Sequence, residues 1–215
     1  MCSIAVFSCN PFEENTYVVY DATGECVIVD AGCYTREEQK ELSDFIEKEG
    51  LQPVQLLNTH CHVDHVLGNS FVSEKWRVPL YMHKDEVSVM RAVSAYADSM
   101  GLQYQPSPQP DGFLDEGDEV VFGQTRLKVL FTPGHSPASI CFYNEADNWV
   151  IGGDVLFLDS IGRYDLPGGN LQTLLRSIKT KLLPLPDSTT VYPGHGPHTT
   201  IGREKKYNPF LLHEP

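Results

Sequence analysis

Three imidazoles and one carboxylate lie within a six-residue segment of the chain, as His60, His62, Asp64 and His65. Imidazole nitrogen and carboxylate oxygen are ligands that suit zinc, iron and manganese, and a tight turn can direct alternate side chains toward two adjacent ions. The chain contains 8 histidines, so the presence of three of them here exceeds what a polar loop would need. The segment therefore predicts a metal site.

Three further candidate ligands follow apolar segments elsewhere in the chain. His135 and His195 each follow a Pro-Gly pair, and Asp154 follows two glycines. Pro-Gly lets the backbone turn sharply, so each side chain can project from a strand end into a cleft. A single residue in such a place is more often a cap or turn residue, but together with the first segment these three complete a candidate metal site. Its ligands are His60, His62, Asp64, His65, His135, Asp154 and His195.

Short apolar runs predict a strand directly before each candidate ligand. Residues 54–59 lead into the histidine segment, and a helix is predicted after it, over about 66–75. The strands predicted at 126–131, 149–151 and 189–192 precede His135, Asp154 and His195 in the same way.

The remaining elements alternate along the chain. Residues 18–20 and 26–29 predict a hairpin around a turn at 21–24. Thr35 and Glu38 form a capping box that begins a helix, and Gly50 ends it. Further helices are predicted over 85–100 and from Asn170, and a proline-rich loop at 105–112 is a connector or a lid. Strands with helices between and after them predict a layered α/β architecture, and we expect one domain over 1–215 because no linker is evident.

Composition excludes several classes of partner. The chain has 16 basic and 29 acidic residues and a formal net charge of -13, which repels phosphate backbones, so we expect no nucleic-acid partner. No stretch approaches the roughly 18 apolar residues of a membrane span, and the N-terminal segment lacks the positive region of a secretion signal. The 6 cysteines never form a Cys-x-x-Cys pair, which predicts reduced thiols in the cytoplasm.

Taken in order, the seven candidate ligands resemble the motif of the metallo-β-lactamase superfamily, and among its branches the glyoxalase II-like hydrolases. The segments 15–17, 30–32 and 208–210 also resemble that branch, so the resemblance covers nearly the whole chain. It implies an αββα sandwich of two mixed β-sheets flanked by helices.

The same resemblance implies two metal ions, with zinc expected and iron or manganese as alternatives. One ion would be held by His60, His62 and His135, and the other by Asp64, His65 and His195, with Asp154 between them. Two adjacent dications lower the pKa of a bridging water and polarise the carbonyl under attack. Asp64 is the expected acceptor of the water proton. His62 stands where flavodiiron relatives have a glutamate, which disfavours a flavin-dependent reductase.

The resemblance further implies a small acyl thioester as substrate, such as S-D-lactoylglutathione. No dedicated general acid is evident in the sequence, which favours a thiolate leaving group over an amine. Arg203 and Lys206 resemble basic residues that bind the glutathione portion, and Arg163 lies in a segment that resembles the substrate loop of shorter bacterial members. A solvated helix end and a turn-flanking arginine are the alternative interpretations. Longer glyoxalase II enzymes differ, since they carry lysine and tyrosine where Arg163 and Asp165 fall and add a helical domain.

Three other functions remain open at this point. A persulfide dioxygenase of the same superfamily would use one iron, and a lactone or β-lactam hydrolase would use the same activated water. A non-catalytic metal-binding or thiol-sensing module would hold metal without turnover, or would show redox-dependent binding through Cys33 or Cys61. Alternation of side chains predicts instead that Cys61 points away from the metals and is a spectator.

Overall fold

The computed structural model describes residues 2–212 and divides the chain into two compact units. The first contains the residues up to Leu114 together with Val121–Arg126, and the second contains Asp115–Val120 and the residues from Leu127 onward. Each unit has its own sheet, helices and apolar core.

The sheet of the first unit has six strands in the order β1-β2-β3-β4-β5-β6. Its strands are β1 (Ser3–Cys9), β2 (Glu14–Tyr20), β3 (Glu25–Val29), β4 (Gln52–Leu57), β5 (Leu80–Met82) and β6 (Gly112–Phe113). The first three are antiparallel and the later pairs are parallel, so the sheet is mixed. The predicted hairpin is β2 and β3, whereas β1 was not predicted as a strand.

Four helices accompany this sheet. They are α1 (Arg36–Lys48), α2 (Val63–Val66), α3 (Asn69–Trp76) and α4 (Val87–Tyr96). Tight 3-10 turns at Lys84–Glu86 and Ala97–Met100 flank α4. The capping box is confirmed, because Thr35 Oγ1 accepts from the Glu38 amide and Glu38 Oε2 accepts from the Thr35 amide.

The helix predicted over about 66–75 corresponds mainly to α3 (Asn69–Trp76), but the structure divides this part of the chain into two helices. A first helix begins earlier, at Val63, and a second begins after Gly68. The amide of Gly68 donates to Ala31 O at 2.7 Å instead of continuing the helix. A Cβ at Gly68 would lie 2.5 Å from Cys33 Sγ, so only glycine allows the chain to approach residues 31–33 here.

The second sheet has the strand order β14-β13-β10-β9-β8-β7. Its strands are β7 (Glu119–Phe122), β8 (Thr125–Phe131), β9 (Ile140–Asn144), β10 (Trp149–Gly153), β13 (Thr190–Pro193) and β14 (Thr199–Thr200). It is also mixed, since β10 pairs parallel with β13 and antiparallel with β9. A separate hairpin consists of β11 (Leu156–Phe157) and β12 (Ser160–Ile161). The tip of the β7–β8 hairpin, Val121–Arg126, groups with the first unit.

The helices of the second unit follow its strands. They are α5 (Leu171–Ser177), α6 (Ile201–Tyr207) and α7 (Pro209–Leu212), and a π-helical segment at Ile178–Leu182 continues α5. The side chain of Asn170 caps α5 by accepting from the Thr173 amide at 2.9 Å, as the predicted helix start requires.

Apolar side chains from sheet and helices form a core in each unit. In the first, Ile28 and Leu56 pack with Leu42 of α1. In the second, Val150 packs with Leu174 of α5. The predicted fold class is therefore confirmed as two mixed sheets with accompanying helices. The six cysteines are free thiols, and five are buried. Within residues 2–212, no helix has the length and apolar character that crossing a bilayer would demand.

Candidate metal centre

The first cluster of candidate ligands lies in the histidine turn, residues 59–65, between the end of β4 and the end of α2. His62 is the N-cap of α2 and has an extended backbone, so the chain turns into the helix between His60 and His65. The ring of His60 lies 4.8 Å from that of His62 and 4.1 Å from that of His65, measured between centroids. Asp64 Oδ2 lies 3.7 Å from His65 Nε2. The structure therefore brings the four ligands predicted in this segment together.

Hydrogen bonds to the Nδ1 atoms orient the buried rings of this turn. Asp30 Oδ2 lies 3.0 Å from His65 Nδ1, and Thr59 Oγ1 lies 3.1 Å from His60 Nδ1. A histidine that ligates a metal typically donates its other ring N–H to a carboxylate, a carbonyl or water, which fixes the tautomer and leaves the second nitrogen as ligand. Asp30 therefore acts on His65 as an orienting group, and the imidazoles of His60 and His65 with the carboxylate of Asp64 form a donor set that fits a divalent cation.

The main chain of the histidine turn is bound by side chains from other elements. Asp30 Oδ1 accepts from the Thr59 amide at 2.7 Å, and Glu86 Oε2 accepts from the Cys61 amide at 2.9 Å. Asp30 and Glu86 are both buried. Two carboxylates therefore fix amide groups on the two sides of His60.

Two asparagines bind the other end of the turn. Asn10 Nδ2 donates to Asp64 O at 3.0 Å, and Asn58 Nδ2 donates to His65 O at 3.1 Å. Both asparagines are buried. The sequence analysis did not single out Asn10, Asn58 or Glu86. The signal that could have indicated them is a polar residue next to an apolar run, where the polar side chain is expected to be buried.

Glu14 adds a further carboxylate to this cluster. It is fully buried, its Oε1 lies 3.8 Å from His65 Nδ1, and its Oε2 accepts from Thr16 Oγ1 at 2.9 Å. Burial raises the pKa of Glu14, and the neighbouring His65 counteracts part of that increase. A Cβ at Gly32 would lie 2.0 Å from Glu14 Oε2, so the glycine leaves space for this carboxylate.

Cys61 lies between two candidate ligands, but its thiol lies in the apolar core. Its Sγ is 3.5 Å from Met82 Sδ. Burial raises the pKa of Cys61 well above its ordinary value. A thiol in this environment is a poor nucleophile.

The second cluster consists of His135, Asp154 and His195, which follow β8, β10 and β13. Asp154 Oδ2 lies 3.4 Å from His135 Nε2 and 3.6 Å from His195 Nε2. His135 Nδ1 lies 2.7 Å from Arg163 O, so a main-chain carbonyl orients this ring and directs Nε2 toward Asp154. This second donor set, one carboxylate between two imidazoles, also fits a divalent cation.

Glycines allow the close main-chain packing around the second cluster. Gly134 has a φ of 132°, and a Cβ there would lie 2.2 Å from Leu174 N. A Cβ at Gly162 would lie 1.9 Å from Asp154 O and 3.2 Å from His135 Nδ1. Gly162 therefore cannot carry a side chain without displacing one of the two candidate ligands or its support.

The three predicted substrate contacts already have polar or aromatic partners. Arg163 forms two hydrogen bonds of 2.9 Å with Asp165, which raise its pKa. Arg203 binds Asp159 through both terminal nitrogens. Lys206 Nζ lies 5.1 Å from the centroid of the Tyr207 ring. An incoming substrate anion at Arg163 or Arg203 would compete with a carboxylate of the chain.

Comparison with known proteins identifies relatives over nearly the whole chain. A model of the metallo-beta-lactamase superfamily matches residues 9–195. The hydroxyacylglutathione hydrolase GloC of Haemophilus influenzae is 34% identical over 211 residues, which cover 97% of this chain and 98% of that protein.

Two solved structures resemble this chain closely. BLEG-1, a B3 metallo-beta-lactamase, superimposes with a TM-score of 0.90 at 36% identity, covering 98% of this chain and all of that one. TTHA1623 in a di-iron-bound form superimposes with a TM-score of 0.86 at 38% identity, covering 96% of this chain and 100% of that one. These likenesses confirm the predicted fold family.

Proposed function

Because the chain belongs to the metallo-β-lactamase superfamily, we propose that it is a binuclear metal-dependent hydrolase that cleaves a small acyl thioester such as S-D-lactoylglutathione. The observation that carries the metal-dependent part is the orientation of the candidate ligands. In each cluster a buried histidine has its Nδ1 bound by an acceptor, which leaves Nε2 for an ion: Asp30 binds His65, and the carbonyl of Arg163 binds His135. The assignment of seven ligands to two ions follows the ligand order of the family and is part of the proposal.

We further propose zinc as the resident metal, with iron as the main alternative because a relative of 38% identity has a di-iron-bound form. Bound at such ligands, divalent ions supply a water acidic enough to attack at neutral pH and polarise the carbonyl of the substrate. In the chain itself, the carboxylate of Asp64 is partly exposed and accepts the proton from the attacking water. Asp30 and the carbonyl of Arg163 keep His65 and His135 in the tautomer that ligates.

The thioester part of the proposal is supported by the similarity to a hydroxyacylglutathione hydrolase. A thiolate leaves without prior protonation, which agrees with the lack of a dedicated general acid in the sequence. We propose that Arg163, Arg203 and Lys206 contact the acidic portion of the substrate. At Arg203 the substrate carboxylate would replace Asp159 as partner of the guanidinium. The free thiols support a cytoplasmic location.

Metal content and thioester cleavage, measured on the same sample, test this function. The protein is purified without added metal, assayed on S-D-lactoylglutathione and analysed for metal per chain. We expect about two zinc ions and turnover, with both lost in His60→Ala. The matched control is His198→Ala, because His198 is exposed and outside the ligand set. A single iron with oxygen consumption and no thioester cleavage would overturn the proposal and identify a dioxygenase.

Hydrolysis of β-lactams is a second candidate, favoured by the TM-score of 0.90 with a B3 metallo-beta-lactamase. A panel of one thioester, one lactone and one cephalosporin separates the two functions. We expect the largest kcat/KM on the thioester, and a larger value on the cephalosporin would reverse the order. A thiol-sensing role is disfavoured because the thiols of Cys33 and Cys61 are both fully buried.

A further inference from the structure

One carboxylate that binds the histidine turn comes from the start of a helix that provides no candidate ligand. Glu86 ends the 3-10 turn Lys84–Glu86 and is the N-cap residue of α4. Its side chain makes no capping bond to that helix. It is fully buried and instead accepts from the Cys61 amide at 2.9 Å. The geometry therefore relates Glu86 to the histidine turn rather than to its own helix.

This hydrogen bond acts on the backbone next to two candidate ligands. The Cys61 amide belongs to the peptide group between His60 and Cys61, and the next side chain along the chain is His62. On the N-terminal side, Asp30 binds the Thr59 amide, which belongs to the peptide group between Asn58 and Thr59. The two bound peptide groups therefore bracket Thr59 and His60 and limit the rotation of the backbone between them. Functional ligands need to be held within about 0.5 Å and 10–20° of their productive geometry.

The start of α4 has a separate means of stabilisation. His83 Nδ1 accepts from the Asp85 amide at 3.1 Å and so caps the 3-10 turn. A buried carboxylate is costly unless it is hydrogen-bonded, and the bond that Glu86 makes to Cys61 adds nothing to the cap. A role for Glu86 in the histidine turn explains the direction of its side chain.

We propose that Glu86 is a positioning residue for the metal centre, which sets the orientation of His60 and His62 through the Cys61 amide. This inference rests on the proposed function only in taking His60 and His62 as metal ligands. In this role, the distance of the accepting oxygen from the main chain of Glu86 matters more than the negative charge of the carboxylate.

Two conservative variants separate reach from charge. Glu86→Gln keeps an oxygen at the same distance from the main chain and removes the charge. Glu86→Asp keeps the charge and withdraws the oxygen by one methylene group. The metal-free proteins are titrated with Co²⁺, affinity is measured by competition with a chromophoric chelator, and the visible absorption of bound Co²⁺ reports ligand geometry.

We expect Glu86→Asp to weaken Co²⁺ binding by about tenfold, which is typical of lost outer-shell support, and to change the Co²⁺ spectrum. Glu86→Gln is expected to keep the affinity and spectrum of the unmodified protein. The opposite order, with Gln impaired and Asp unaffected, would overturn the positioning role in favour of charge. Unchanged binding in both variants would also overturn it.

Glu204→Asp is the matched control. Glu204 is equally buried and its Oε2 accepts from the Asp159 amide at 2.9 Å, but neither residue is a candidate metal ligand. We expect this variant to lower the melting temperature and leave Co²⁺ affinity and spectrum unchanged. An equal loss of affinity in Glu204→Asp would show that the Glu86 effect is general destabilisation. If the unmodified protein itself binds no Co²⁺, the proposed function fails instead.

Discussion

In the first unit the candidate ligands come from one continuous turn, whereas in the second they come from the ends of three separate strands. Side chains from distant parts of the chain hold the turn, as Asp30, Glu86 and Asn10 show. Around the second cluster the holding groups are main chain, as in the bonds from His135 Nδ1 to Arg163 O and from Gly194 N to Gly153 O.

The difference follows from how each set of ligands is placed. A turn has no sheet partner for its amides and carbonyls, so they need side-chain partners. Ligands at strand ends are placed by the sheet itself, and the loops that follow need only pack closely. We therefore expect the first cluster to be sensitive to side-chain chemistry and the second to added volume.

The largest effect is expected for Gly162→Ala. The added Cβ would lie 1.9 Å from Asp154 O and 3.2 Å from His135 Nδ1, so it must displace a ligand or its support. A misplacement of about 1 Å costs on the order of 100-fold in rate, and we expect that loss in kcat/KM. Gly152→Ala is the control, because its nearest neighbour would be at 3.6 Å. Comparable activity of the two variants would contradict the role of volume.

Asp30→Asn tests side-chain chemistry in the first cluster. It replaces the carboxylate that binds His65 Nδ1 and the amide and hydroxyl of Thr59. We expect metal affinity to fall between about 10- and 100-fold, measured by chelator competition. Asp111→Asn is the control, since Asp111 also accepts a main-chain amide, that of Leu80. Retention of full affinity in Asp30→Asn would remove the contrast between the clusters.

Asp21 tests whether side-chain carboxylates also stabilise the main chain elsewhere in the first unit. Although desolvation raises its pKa, hydrogen bonds from Thr23, Gln124 and Thr125 lower the pKa to about 2, from 3.8. A depressed folded pKa stabilises the protein above pH 4, and this contribution is lost as pH falls from about 4 to 2.

Discounted for its solvent exposure, the Asp21 contribution should be about 1 kcal/mol at pH 7. Asp21→Asn should therefore lower the free energy of unfolding by that amount, with the difference vanishing toward pH 2. Urea titration at several pH values measures it, and a difference independent of pH would contradict the assignment.

We also propose that residues 1–215 are one domain, for which the unmodified protein should give a single transition.

The smallest effect on the metal centre is expected for Arg163→Ala. The carbonyl of this residue binds His135, while its side chain is exposed and paired with Asp165. Metal content should therefore be unchanged, and KM for the thioester should rise several-fold if the guanidinium contacts substrate. Loss of metal in this variant would show that the side chain, and not the carbonyl, supports His135.

The sequence predicted the candidate ligands because their information is local. His60, His62 and His65 are a dense group of one rare residue type, and the Pro-Gly pairs before His135 and His195 determine their own turns. The strands before them are short apolar runs that the turn residues after them delimit.

The supporting residues could not be predicted in the same way. Glu86 and Asn10 resemble ordinary helix-start and turn residues until the fold brings them to the histidine turn. The division of the helix at Gly68 depends on a hydrogen bond to Ala31, thirty-seven positions away in the chain. Such contacts are long-range, and no local pattern contains them.

Four buried side chains of the chain itself bind the main chain of the histidine turn, which has a consequence for the order of assembly. Ordering a ligand loop costs conformational entropy, and in small zinc domains that cost is met by the ion, so folding waits for metal. Here hydrogen bonds that form during folding offset this entropy cost, and they are made by the side chains of Asn10, Asp30, Asn58 and Glu86. We therefore expect a metal ion bound at the candidate ligands to be acquired after folding, so that its identity would depend on cellular supply as much as on the ligands.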